Sequence, residues 1–316
     1  WGERSLEIRE EQLGATHPDT AQSLNNLALL YKSQGRYSEA EPLYRRSLEI
    51  KEEQLGATHP DTAESLNNLA ELYRSQGRYS EAEPLYRRSL EIHEEQLGAT
   101  HPYTATSLND LAGLYEAKGR YEEALPLRER SLEIYEEQLG ENHPFTATSL
   151  NNLANLYRSQ GRYSEAEPLY WRSLEIHEEQ LGPTHPDTGA VYGNLAGVYE
   201  SQGKLSDAEP LRQRALEIHE EHLGATHPYT AIGLNNLASL LEKLEKYGEA
   251  EPMYCRCVEI AQNVLGEEHP YTKKFTSNLQ RLIKTVIEKN QTAQLSDHPL
   301  TQAILQQLQN QNPDPS

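Results

Sequence analysis

Apolar residues fall at helical spacing in two stretches of this chain that recur every 42 residues. In the first complete copy, Leu24, Leu27 and Tyr31 share one face of a helix, and Gly35 provides a stop signal. A second stretch, Leu43 to Leu55, has the same spacing and is also followed by a glycine. The pattern therefore predicts helix–turn–helix units with helices of roughly 17 residues and short loops.

The unit repeats with almost no drift, and residues 14–55 and 56–97 differ at only four positions. Its period is marked by the glycines Gly14, Gly56, Gly98, Gly140, Gly182, Gly224 and Gly266. Complete copies fill residues 14–265, with half a copy before them and an unpaired first helix near 269–289 after them. Such a period is typical of stacked units that share a continuous core. The sequence therefore predicts an all-α solenoid with six complete repeats.

Helix starts are predicted from capping residues. Thr16 with Asp19 fits a capping box at the first helix, and Ser38 with Glu41 fits one at the second. A histidine followed by proline recurs with the repeat and is expected to cap or pack at each inter-repeat turn. These histidines are His17, His59, His101, His143, His185, His227 and His269.

One turn departs from the pattern, because the glycine that recurs at Gly35 is replaced by Glu245 in the last complete copy. A glycine at such a place commonly adopts a left-handed conformation. We therefore predict that the helix before Glu245 ends differently from its counterparts, by continuing further or by placing a non-glycine residue in the turn.

The ends of the array are predicted to differ from its interior. The repeats cover residues 1–290, a polar linker and a short helix cover 291–310, and residues 311–316 form a disordered tail. Leu300, Ile304 and Leu308 form a one-sided apolar stripe, so we predict that the segment 298–310 folds back as a lid. At the other end, Trp1 aligns with Leu43 inside a helix, which predicts that the protein continues upstream.

Composition narrows the classes of partner. The net charge of −20 argues against binding to nucleic acid or to an anionic membrane surface. No apolar run approaches the length of a membrane helix, and there is no signal peptide, so we expect a cytoplasmic protein. Only Cys255 and Cys257 occur, too few for a disulfide framework, and Cys257 is expected to be buried.

The first complete copy resembles the tetratricopeptide repeat (TPR), whose usual length is 34 residues. The residues that carry the resemblance are Asn26, Leu27, Ala28, Tyr31, Gly35, Tyr37, Ala40, Tyr44 and Ser47. The longer 42-residue form looks like the repeat domain of kinesin light chains and their bacterial relatives, and the resemblance covers residues 1–290. It implies a right-handed superhelix in which the first helix of each pair lines a groove that receives an extended peptide.

Two asparagine columns mark a candidate peptide site on the first helices. On a helical wheel the first column lies opposite the core and the second lies on its flank. The first column is Asn26, Asn68, Asp110, Asn152, Asn194 and Asn236. The second column is Asn25, Asn67, Asn109, Asn151 and Asn235, with Gly193 in the fifth copy. Asparagine is an unfavourable residue within a helix, so a repeated asparagine suggests a specific role.

A carboxamide both donates and accepts hydrogen bonds, so these columns, here called the Asn ladder, are suited to holding a peptide backbone of any sequence. Variable columns beside the ladder, which begin at Gln22 and Leu29, would then select side chains. The alternative is that the asparagines link adjacent first helices and touch no ligand. The sequence leaves both explanations open.

A further flanking column contributes mixed charge. It carries Lys32, Arg74 and Arg158, which are candidate groove residues, but also Glu116 and Glu200. The resemblance implies that animal relatives bind acidic peptides through basic groove residues. The carboxylates in this column mean that such specificity does not transfer to this chain.

The sequence favours a protein- or peptide-binding adaptor rather than an enzyme. Catalysis needs one unique constellation of side chains, whereas these side chains recur in every copy, and no cofactor or metal is expected. His219 and His222 are read as part of a solvated helix face. Two other functions stay open: a sensor or assembly arm of a larger signalling NTPase-type protein, and a scaffold without a groove ligand.

Overall fold

The computed structural model describes residues 2–311, and this part of the chain consists of α-helices joined by short turns, except for a linker at 289–298 that contains a 3₁₀ helix at Thr292–Gln294. The predicted all-α, helix–turn–helix class is confirmed. The first eight helices are α1 Gly2–Leu13, α2 Pro18–Ser33, α3 Tyr37–Leu55, α4 Pro60–Ser75, α5 Tyr79–Gln96, α6 Pro102–Ala117, α7 Tyr121–Leu139 and α8 Pro144–Ser159. The next are α9 Tyr163–Gln180, α10 Pro186–Ser201, α11 Leu205–Leu223, α12 Pro228–Lys243, α13 Tyr247–Leu265, α14 Pro270–Glu288 and α15 Pro299–Gln311.

The chain divides into two compact units, Trp1–Gln160 and Gly161–Ser316. In each unit, helices that follow one another in sequence pack together. In the first unit the alternate helices α2, α4 and α6 also touch, as do α12 and α14 in the second. That residues 1–290 act as one continuous array stays a prediction.

Small residues allow this close packing within each pair. Ala21, Ala28 and Ala40 are completely buried, so helix backbones can approach closely. The buried Ser47 hydroxyl donates to the carbonyl of Ala21 at 2.8 Å and ties the second helix to the first. Ser89 and Ser131 repeat this bond in the next two copies at 2.9 and 2.8 Å.

The first-helix cap differs from the prediction. His17, not Thr16, is the N-cap of α2, and its Nδ1 accepts the backbone N–H of Asp19 at 3.1 Å. The other six loop histidines cap their helices in the same way. The predicted box at Ser38 is also wrong, because α3 begins at Tyr37 after Arg36, which makes no side-chain cap bond.

Of the two alternatives predicted for the turn at Glu245, the longer helix is not found, whereas the non-glycine residue in the turn is. Helix α12 stops at Lys243, the position that corresponds to Ser33 in α2. Glu245 itself adopts a left-handed φ of 62°, close to the 74° of Gly35. Its carboxylate lies 2.7 Å from the ammonium group of Lys289, so a surface ion pair accompanies the unusual backbone.

The predicted fold-back of the C-terminal helix is confirmed. Ile304 is buried against the core of the second unit, and Leu300 and Leu308 are half-buried against it. Helix α15 continues to Gln311, the first residue of the predicted tail, and residues 312–316 lie outside the described part of the chain. Cys257 is buried as predicted, and Cys255 is buried as well.

Candidate functional site

The Asn ladder lies on the first helix of each pair. Asn25 and Asn235 are buried, Asn26 is exposed, and the other members are half-buried. The side chains are therefore neither core residues nor fully solvated ones. Polar groups in this intermediate position need partners, which either the protein or a ligand can supply.

Within the first unit, the two columns are joined from one repeat to the next. The Asn68 amide donates to the Oδ1 of Asn25 at 2.9 Å. One repeat further, the amide of Asn67 donates to a carboxylate oxygen of Asp110. Burial raises the pKa of Asp110, while the Asn67 hydrogen bond and nearby arginines act in the opposite direction. Each of these links joins a residue of one first helix to the next first helix, 43 positions later.

The second unit contains the same link. Asn278 on α14 donates to the Oδ1 of the buried Asn235 at 2.8 Å. Sequence reasoning missed Asn278, because it lies in the half repeat that was treated as an end cap. Its position, 42 residues after Asn236, was the available signal.

Two of the expected links between repeats are missing, because the residue that would accept the hydrogen bond is engaged elsewhere or has no side chain. The Asn109 Oδ1 accepts from Arg128 at 2.8 Å instead of facing the next repeat, and Gly193 has no side chain to offer. Within residues 2–311, the side chains of Asn152 and Asn236, which follow these two interruptions, form no hydrogen bond in the structure. Asn151 and Asn194 do take part in polar interactions.

The flanking cations are mostly neutralised within the protein. Lys32 and Arg74 both reach Glu71, at 3.3 and 2.7 Å. In the described chain Arg158 is half-buried and forms no ion pair.

The acidic members of that column are paired too, by arginines that sequence reasoning did not consider. Glu116 lies 2.8 Å from Arg128, and Glu200 lies 2.8 Å from Arg212. Both arginines come from the second helix of their repeat, where other copies have a buried tyrosine such as Tyr86. The first-helix wheel considers one helix at a time, so it could not reveal these partners.

Gly113 occupies the space between two of these guanidinium groups. A Cβ at this position would lie 3.4 Å from an Nη atom of Arg74 and 3.5 Å from one of Arg128. Both distances are ordinary van der Waals contacts, so a methyl group would fit at this position.

The histidines form no recognisable metal site. Within residues 2–311, no group of three or more histidine, cysteine, aspartate or glutamate side chains is arranged to hold a metal ion. His222 is exposed, but His219 is half-buried and burial lowers its pKa, so the solvated interpretation is wrong for His219. None of the helices described for residues 2–311 is long and apolar enough to span a bilayer.

Comparison with known proteins identifies the repeat. The tetratricopeptide repeat model matches residues 1–53, 33–95, 61–137, 103–179, 160–221 and 187–263. No curated protein sequence matches the chain significantly.

Solved structures share the architecture. BtubC (BKLC) from P. vanneervenii is 26% identical with a TM-score of 0.60, covering 75% of this chain and 92% of that one. The nearly identical TPR-like repeats of a Podosopora anserina kinesin light chain are 29% identical with a TM-score of 0.55, covering 65% and 97%.

A signal transduction ATPase with numerous domains from Pyrococcus horikoshii, which has a tetratricopeptide repeat sensor, gives a TM-score of 0.66. It is 16% identical and the match covers 93% of this chain and 42% of that protein. At this identity the similarity concerns the fold alone.

Proposed function

Because the chain belongs to the tetratricopeptide repeat family, with repeats like those of kinesin light chains, we propose that it is a binding module for an extended peptide or protein segment. The segment lies along the first helices and hydrogen-bonds to the Asn ladder. This role needs no catalytic residue, cofactor or metal, and it suits a cytoplasmic protein.

The observation that carries the proposal is the pair of unlinked carboxamides, Asn152 and Asn236. Both are half-buried, so each has lost part of its hydration without gaining a hydrogen bond from the protein. A peptide backbone offers the N–H and C=O groups that a carboxamide can satisfy. The linked members, such as Asn25 and Asn68, are better explained as contacts between helices.

The internal ion pairs limit the positive charge that the protein offers to a ligand. Lys32 and Arg74 share Glu71, so neither offers its full charge to a ligand. Of the three candidate cations, Arg158 alone forms no ion pair in the described chain. We therefore propose a ligand held mainly by backbone hydrogen bonds, with a dependence of its affinity on salt that is limited to contact with Arg158.

Matched asparagine variants test this proposal. Peptides that bind the wild-type protein are first selected from a random library, and their dissociation constants are measured by calorimetry. For a peptide bound to the first unit, Asn152→Ala should weaken binding about fivefold, the value of one net hydrogen bond, without lowering thermal stability. Asn236→Ala is the equivalent change for the second unit.

Asn68→Ala is the control, because it removes the donor of the buried Asn25. It should destabilise the first unit by about 1–2 kcal/mol. If neither Asn152→Ala nor Asn236→Ala weakens any selected peptide, the ladder is structural and the proposal is wrong.

A further inference from the structure

A single tryptophan distinguishes two otherwise identical helices of this protein. Residues 79–96 of α5 and residues 163–180 of α9 have the same sequence except at one position, where Arg87 is replaced by Trp171. The surroundings of these two residues therefore show what the tryptophan changes.

In α5 the charged side chain is used within the protein. Arg87 lies 3.1 Å from Glu83 and donates to the hydroxyl of Tyr115 at 2.7 Å. In α9 the Trp171 indole N–H donates to the equivalent Tyr199 hydroxyl at 3.2 Å. The indole is thus held at its edge while 43% of the side chain remains exposed. One positive charge has been exchanged for an anchored aromatic surface.

A second difference affects the carboxylates on the same face. In the first unit, Glu94 on α5 pairs with Arg130 at 2.6 Å. Its counterpart Glu178 on α9 instead accepts from the Tyr192 hydroxyl at 2.5 Å, while Arg214 pairs with Glu217 at 3.2 Å. Glu178 therefore has a phenol hydroxyl as its partner where its counterpart has a guanidinium group.

Trp171 and these carboxylates line one open cavity of about 800 Å³. Pro168 borders it beside the indole, Arg172 contributes one cation, and Glu175, Glu178 and Glu179 contribute three carboxylates. The cavity thus combines an aromatic surface with an excess of negative charge. An aromatic surface next to carboxylates favours a cation, and a planar guanidinium can stack on indole while it pairs with a carboxylate.

We propose that this cavity is a docking site for an arginine side chain of a partner protein. Trp171 provides the stacking surface, and the exposed Glu175 and Glu179 provide the ionic partners. Glu178, whose hydrogen-bond partner is a phenol hydroxyl and not an arginine, adds to the negative charge of the cavity. The site lies on a second helix and uses no member of the Asn ladder, so it is independent of the peptide site on the first helices.

Ligand-detected saturation-transfer NMR with N-acetyl-arginine amide as the probe tests the site. Saturable binding to the wild-type protein is expected, with a dissociation constant on the order of millimolar for one side chain. N-acetyl-citrulline amide has the same shape without the charge and should bind at least about threefold more weakly. N-acetyl-lysine amide should bind more weakly than the arginine probe, because its compact ammonium group stacks less well on indole than a planar guanidinium does, and tighter binding of the lysine probe would overturn the assignment to arginine.

Trp171→Arg is the matched variant, because it converts residues 163–180 into the sequence that already folds as α5. It should reduce probe binding about three- to tenfold. The reverse change, Arg87→Trp, adds an indole where Glu94 is already paired, and it should create a site at least about threefold weaker than that at Trp171.

The double variant Glu175→Gln/Glu179→Gln should weaken the probe and remove most of the salt dependence of its binding. Equal binding of the arginine and citrulline probes, unchanged binding to Trp171→Arg, or no saturable binding would each overturn the proposal. Asn152→Ala should leave probe binding unchanged, which separates this result from a failure of the peptide site.

Discussion

Glu83 and Glu251 occupy the same position in their repeats, yet they are satisfied by different partners. Glu83 lies 2.6 Å from Lys118 and 3.0 Å from Arg120, both supplied by the next repeat of the first unit. Glu251 is completely buried, and its Oε1 accepts from the hydroxyls of Thr301 and Ser296.

The next repeat explains the difference. Where the first unit has Tyr115 and Arg120, helix α14 has Ile283 and Glu288, so no cation or phenol faces Glu251. The C-terminal segment supplies hydroxyl groups instead, and the Oε2 of Glu251 is left without a hydrogen bond. Internal repeats are thus joined by charged pairs, whereas the end of the second unit is covered mainly by apolar contacts.

The largest effect is expected when the C-terminal segment that covers the second unit is removed. Deleting residues 297–316 uncovers the buried residues beneath Thr301 and Ile304. We expect a loss of about 3–5 kcal/mol in the free energy of unfolding of the second unit, together with aggregation. Urea unfolding and size-exclusion chromatography measure these effects.

Ile304→Ala should reproduce a large part of that loss, whereas Gln306→Ala, at an exposed position of the same helix, should change stability by less than about 0.5 kcal/mol.

The reactivity of the two cysteines measures detachment of the C-terminal helix independently. Cys255 lies 3.4 Å from Thr301 under α15, whereas Cys257 is buried in the repeat core. Detachment of α15 alone should expose Cys255 to a thiol reagent and leave Cys257 protected.

A smaller effect is expected from making the same substitution at the two glutamates. Burial by itself would raise the pKa of Glu83, but hydrogen bonds from Lys118, Arg120 and Arg87 hold it at about 2. Glu83→Gln should therefore destabilise the first unit by about 1–2 kcal/mol. Glu251→Gln loses no cationic partner and should change stability by less than about 0.5 kcal/mol.

Thermal unfolding of both variants at pH 7 measures this difference. A Glu251→Gln variant destabilised as much as Glu83→Gln would show that charge, and not only burial of apolar groups, secures the C-terminal segment.

The smallest expected effect concerns the turn that precedes α13. Gly119 in the first unit and Glu245 in the second share a left-handed backbone, with φ of 71° and 62°. Glu245→Gly relieves a conformation that costs a non-glycine residue about 1 kcal/mol, and it loses only an exposed ion pair. We expect a net gain of about 0.5 kcal/mol, measured by chemical denaturation.

Glu245→Gln is the control, because it removes the charge but keeps the strained backbone. It should be neutral or slightly destabilising. A loss of stability in Glu245→Gly larger than that in Glu245→Gln would mean that the left-handed turn is not strained.

The sequence predicted the helices and their order well, because a 42-residue period with apolar faces and glycine stops leaves few alternatives. The capping-box pattern placed the N-cap of α2 at Thr16, one position before the true cap, His17. The residue before a proline is driven into the extended region, and His17, with ψ of 143°, adopts the conformation that an N-cap requires. The proline was therefore the better guide than the threonine.

The sequence offered links between adjacent first helices as one of two explanations for the asparagines, and such links are present, but it did not predict which residues pair or where a link is missing. The bond between Asn25 and Asn68 joins two columns across a repeat boundary, which a wheel drawn for a single helix does not represent. The capture of Asn109 by Arg128 depends on a side chain from another helix. Whether the ladder contacts a ligand stays a prediction.

The interruptions at Asn109 and Gly193 have a consequence for how a ligand is positioned. Repeats as similar as 14–55 and 56–97 offer an extended chain several alignments of nearly equal energy, among which it could slip by whole repeats. Asn152 and Asn236 stand apart from their neighbours because the links before them are missing. If the ladder holds a peptide backbone as proposed, a ligand that hydrogen-bonds to either side chain would be fixed at that repeat instead of slipping to its neighbours.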